Sequence, residues 1–148
     1  MSLSNLVSLL LGSVAIGVAV LSWRVTYIQG RKLASRNETF VHVTSVHQLA
    51  DQLDSLAEQH WLAAAEDRSS YAYEQKVLAK IKLLGFKFSA LEERGIVIDQ
   101  KHALTIRRSM TGATKSASDS AILKSTFAAT NSLRAAADQA YWRKYPHT

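Results

Sequence analysis

Five histidines, twelve carboxylates and no cysteine bound the chemistry open to this chain of 148 residues. Without cysteine there is no thiol nucleophile, no disulfide and no Cys-containing zinc site. His47 and Asp51 stand i, i+4 on one helical face, which Asp54 and Glu58 continue. A neutral imidazole beside carboxylates can hold a divalent ion, yet the same pattern describes a solvated polar face, and that is the expectation. His60 falls within an apolar stripe, as a half-buried histidine with a hydrogen-bond partner would. His102, near Arg107 and Arg108, looks no better as a catalyst. Glu92 and Glu93 are adjacent and point to different sides of a helix, a poor start for an acid/base pair. No P-loop, dinucleotide fingerprint, HExxH or GxSxG occurs. The residues predict no enzyme, no cofactor and no metal site.

Whatever these residues do, helices must position them. From Leu3 to Leu21 the chain reads LSNLVSLLLGSVAIGVAVL, and the first 23 residues carry no charged side chain. At 1.5 Å per residue this run reaches roughly 28 Å, near the hydrocarbon thickness of a bilayer. Trp23 and Tyr27 follow, where amphipathic rings favour the headgroup level. Arg24, Arg31, Lys32 and Arg36 come next, with no acid before Glu38. A cleaved signal peptide would carry its cations ahead of the apolar run, and a small core rarely hides so long an uncharged stretch. The expectation is a single-pass transmembrane helix over 1–23 in the cell inner membrane, amino terminus out and the remainder cytoplasmic. Within it Ser8 and Gly12, Ser13 and Gly17, and Ala15 and Ala19 stand four apart, spacing that lets two membrane helices approach closely. Ser8, Gly12, Ser13 and Gly17 are the expected self-association face.

Residues 24–44 read as a basic juxtamembrane connector, with Gly30 either ending the first helix or marking its exit and the short, β-branched 37–44 ambiguous between elements. Residues 45–148 read as a soluble helical domain whose only proline is Pro146. Ser45 and Gln48 form a capping-box pattern. The stripe Val46, Leu49, Leu53, Leu56, His60 and Ala63 predicts a helix over 45–66, with Ala50, Ala57 and Ala64 beside it. Val77, Ile81, Leu84, Phe88 and Leu91 predict a second over 70–94, ended by Gly95 and weakened by Gly85. Ile96-Val97-Ile98 is either a turn that plugs the core or a short strand. Asp99 caps a short helix over 100–109. The Ser/Thr/Gly-rich 109–120 is a loop. A last helix over 118–143 carries Leu123, Phe127, Thr130, Leu133, Ala137 and Tyr141 on one face. The fold class is therefore mainly α: the transmembrane helix, then a cytoplasmic bundle of three to four helices.

The charge of +6 is segregated: +4 over 24–36, −6 over 37–75 and +8 over 76–148. The acidic helix can pair with basic neighbours inside the bundle, or the basic half can face an anionic membrane or nucleic acid. Arg107–Arg108 and the Tyr141-Trp142-Arg143-Lys144-Tyr145 tail mix cations with aromatics, which suits either surface. Candidates for anionic-surface binding are Arg24, Arg31, Lys32, Arg36, Arg107, Arg108, Arg143 and Lys144. Lys76, Lys80, Lys82 and Lys87 extend the basic half. Expected partners are membrane lipid and either further copies of this chain or a larger membrane-associated complex, with nucleic acid a lesser alternative. Three functions fit. The first is a membrane-anchored scaffold, adaptor or regulatory subunit at the cytoplasmic face. The second is a membrane-active effector of toxin, lysis or defence type. The third is a membrane-tethered nucleic-acid or anionic-lipid binder.

Overall fold

The computed structural model describes the backbone of residues 3–63, 69–111 and 118–146, with side chains from residue 14 onward within them. Four helices account for most of these residues: α1 (Leu3–Trp61), α2 (Ser70–Glu93), α3 (Lys101–Thr111) and α4 (Asp119–Lys144), with no strand among the described residues. The fold is mainly α, as the periodicities predict. The chain divides into two compact units, Met1–Glu38 and Thr39–Thr148.

The first unit consists of the amino-terminal part of α1. Its apolar side chains from Val14 to Ile28 are exposed, and the Trp23 and Tyr27 rings stack at 5.9 Å. Among the described residues no helix is long and apolar enough to cross a membrane. The expected span over 1–23 has its side chains up to residue 13 outside the described residues, Ser8, Gly12 and Ser13 included.

Helix α1 runs unbroken through the stretch expected to connect the first helix to the second. Gly30 does not stop the helix: Gly95 is the only described glycine with positive φ, and a glycine terminator works by adopting that conformation. Residues 37–44 are helical as well. Their β-branched side chains disfavour helix by a few tenths of a kcal/mol each, and burial outweighs this, with Thr39 at 0% and Val43 at 3% exposure. Ser45 consequently lies inside α1 and caps nothing; its hydroxyl donates to the Val41 carbonyl at 2.9 Å.

In the second unit the buried row of α1 is Thr39, Val43, Val46, Ala50, Leu53 and Ala57, stepping by 4, 3, 4, 3 and 4. Leu56, His60 and Ala63 are only half-buried, so the contact line is centred further toward the alanines, whose small side chains admit close neighbours. On α2 the buried residues are Tyr73, Val77, Leu84, Phe88 and Leu91. Helix α3 adds Ala103, Ile106 and Met110, and α4 adds Leu123, Leu133, Ala137 and Tyr141 among others. Apart from Thr39 and Ala50, the buried side chains named form one core cluster.

The connections follow from local chemistry. Helix α2 ends where Gly95 takes φ +72°. The Gly95 N–H donates to Glu92 at 2.7 Å and the Ile96 N–H to Leu91 at 2.9 Å. That pair of bonds, with Ile96 packed back against the helix end, is a Schellman motif. Ile96 and Ile98 are buried while Val97 is 70% exposed, so the segment plugs the core and forms no strand. Asp99 accepts from the Lys101 N–H at 2.9 Å and so caps α3. Ser118 caps α4, accepting from the Ala121 N–H at 3.3 Å.

Candidate functional site

The residues with the most chemistry do structural work. His47 Nε2 lies 2.9 Å from Asp138 Oδ1. The Arg134 guanidinium donates to Asp51 and to Asp54, each at 2.6 Å, and to Asn131 at 2.8 Å. Thr130 donates to the other Asp54 oxygen at 2.7 Å. His47, Asp51 and Asp54 ascend α1 while Asp138, Arg134 and Thr130 descend α4, so this is an antiparallel polar ladder along the seam. Burial alone would lower the Arg134 pKa; the Asp54 and Asp51 hydrogen bonds and charges more than offset it, and the pKa is raised. The His47/Asp51/Asp54 face is thus engaged by α4. Among the described residues no group of three or more His, Cys, Asp or Glu is placed to hold a metal ion.

His60 lies flat on the Tyr73 ring at 3.9 Å, and the Trp61 indole donates to the Tyr73 hydroxyl at 3.3 Å. Burial pushes the Tyr73 hydroxyl pKa up from its ordinary value, with the Trp61 bond opposing. Glu92 and Glu93 are both exposed.

The basic candidates fall in several places. Arg24, Arg31 and Lys32 are exposed on the amino-terminal unit and Arg36 is half-buried. Arg31 sits 5.4 Å from the Tyr27 ring, a cation–π contact. Arg107 and Arg108 are exposed on α3. Arg143 and Lys144 line an open cleft of about 470 Å³ with Gly95, Ile96, Val97 and Ala140. Beside it Tyr141 packs against Phe40 at 5.7 Å, Trp142 at 5.1 Å and Tyr145 at 5.1 Å. Tyr141 and Tyr145 therefore seat the end of α4, and Trp142, Arg143 and Lys144 are left at the surface. Of the small-residue face, only Gly17 has a described environment, and a Cβ there would meet nothing within 4 Å.

Two features escaped sequence reasoning. Arg134 looked like one cation of thirteen in the carboxyl half; its signal was the row Thr130, Arg134, Asp138, four apart along the edge of the α4 stripe. The solvent side of α2, where Leu83 and Phe86 are 47% and 61% exposed, was hidden behind the stronger core stripe of the same helix. The chain matches no known family model, no curated protein and no solved structure.

Proposed function

We propose that this chain is a membrane-anchored assembly protein. Its amino-terminal segment sits in the bilayer as a single span, and the helical unit from Thr39 onward works at the cytoplasmic face as a scaffold, adaptor or regulatory subunit. The supporting observation is the state of α1 between Val14 and Leu21. Val14, Ile16, Val18, Val20 and Leu21 are 56–67% exposed. Hiding five such side chains from water is worth on the order of 10 kcal/mol, so a medium that covers them is strongly preferred. The stretch is flanked by the Trp23–Tyr27 stack and by Arg24, Arg31 and Lys32, residue types that anchor at a headgroup layer. The reading takes the uncharged residues 1–23 whole.

An assembly role is supported by what the described residues of the helical unit offer: polar side chains such as Arg134, Asp51 and Asp54 are used in holding α1 to α4. The test is expression of the full chain with fractionation, alkaline washing of membranes, crosslinking and a membrane-potential dye. The proposal expects retention through the wash, crosslinked multimers or co-purifying chains, and an intact potential. Release by the wash overturns the anchor. A collapsed potential with arrested growth transfers the function to a membrane-active effector.

A further inference from the structure

Helix α2 carries a second apolar row, and we infer that it is an interfacial contact for an anionic lipid leaflet. The core face of α2 is set by Tyr73, Val77, Leu84, Phe88 and Leu91. At 100° per residue, Ala79, Leu83, Phe86 and Ala90 form a row centred well over a third of a turn from that face. Phe86 is 61% and Leu83 47% exposed, and Ala79 is exposed as well. Singly exposed apolar side chains are ordinary; three in helical register, with the half-buried Ala90 continuing them, are an organised surface.

Its borders give the chemistry of the occupant. Lys76, Lys80 and Lys87 run along one edge and Lys82 stands on the other, with no acid between Glu74 and Glu92. Lys80 is steadied from α1, donating to Gln52 Oε1 at 2.6 Å. An apolar row that helical register borders with lysines on both sides is complementary to a negatively charged headgroup layer over hydrocarbon. The α1–α4 acids offer a second copy's lysines little, because Asp51 and Asp54 are engaged by Arg134 and Asp138 by His47. The preference for lipid over an acidic protein helix rests on the membrane-anchored reading above.

The absence of cysteine makes the test direct. Single cysteines replacing Ala79 or Ala90 carry an environment-sensitive fluorophore, and Ala128, exposed on α4, serves as the control position. The full chain is reconstituted into vesicles of phosphatidylcholine alone or of phosphatidylcholine with phosphatidylglycerol. The expected result is a blue shift at 79 and 90 in the anionic vesicles only, with 128 unchanged. Lys76→Glu with Lys82→Glu abolishes the shift, and Phe86→Ser reduces it, both with native helix content by circular dichroism. Chain that floats with both vesicle types while positions 79 and 90 stay water-exposed overturns the α2 contact and leaves the anchor standing. Chain that floats only with anionic vesicles, in a salt-sensitive way with the shift present, supports the α2 contact and overturns the anchor. A shift produced by RNA or an acidic peptide without lipid overturns the choice of occupant.

Discussion

Arg134 on α4 donates to Asp54 on α1 at 2.6 Å, and the same nitrogen reaches Asp51 at 2.6 Å. With side-chain exposures of 21% for Arg134 and 18% for Asp54, the pair sits between surface bridges, worth little, and buried ones, costly to break. Arg134→Met is expected to cost about 1–3 kcal/mol of unfolding free energy, because Asp54 is left half-buried without its cation. Denaturant melts of the single variants and of Arg134→Met with Asp54→Ala check this. A double-mutant coupling near zero would show that the ladder does not hold the seam.

Leu53 stands at the middle of the α1 row with 0% exposure. Leu53→Ala should cost about 2–5 kcal/mol through lost transfer energy and a cavity. Leu53→Asp, which places an unpaired carboxylate there, should leave the helical unit unfolded at room temperature. An unaltered melting curve for either would mean that the row is not core.

Gly95→Ala tests the Schellman stop. The φ of +72° costs a residue with a Cβ about 1–2 kcal/mol, and the new Cβ would stand 3.1 Å from Lys144 Nζ, the movable end of a flexible side chain. The expected loss is therefore the backbone term alone, and Gly95→Ala in a Lys144→Ala background should lose the same amount. A much larger loss relieved by Lys144→Ala would place the strain in the contact.

Asp99 gives the stability a pH dependence of known sign. The hydrogen bond from the Lys101 backbone N–H, followed by the Lys101 ammonium, holds its carboxyl below the usual value. A depressed folded-state pKa makes the unfolded chain the better proton binder. Its contribution is complete above the unfolded carboxylate value of about 4 and fades as pH falls through the folded value. The stability gap between the native chain and Asp99→Ala should therefore narrow on acidification. A gap that stays constant with pH would show that the cap does not depend on charge.

Much of this fold is legible in the residues, for identifiable reasons. The stripe from Val77 to Leu91 and the row from Leu123 to Tyr141 are long and regular, and Gly95 and Asp99 are terminators that act locally, so α2, α3 and α4 fall close to where periodicity puts them. Helix α1 is harder to read. Gly30 and the run Thr39, Val41, Val43, Thr44 have the residue types of a break, and only the packing of Thr39 and Val43 into the bundle overrides those preferences. The ladder is harder still. Periodicity shows that Asp51 and Asp54 share a face and that Arg134 borders a stripe, but not that the two rows meet, because pairing across helices is set by tertiary register. The basic candidates were visible as residue types; that Tyr141 and Tyr145, beside Arg143 and Lys144, pack the end of α4 was not.

The proposed anchor puts the amino-terminal part of α1 in lipid. In a chain without cysteine, single cysteines at Ser2, Gly17 and Asn37 can be probed in intact cells and in opened membranes with a maleimide that does not cross bilayers. The account predicts labelling of Ser2→Cys from outside, labelling of Asn37→Cys only after opening, and protection of Gly17→Cys in both until detergent is added. Equal labelling of all three in opened cells, with Gly17→Cys reactive before detergent, would contradict it.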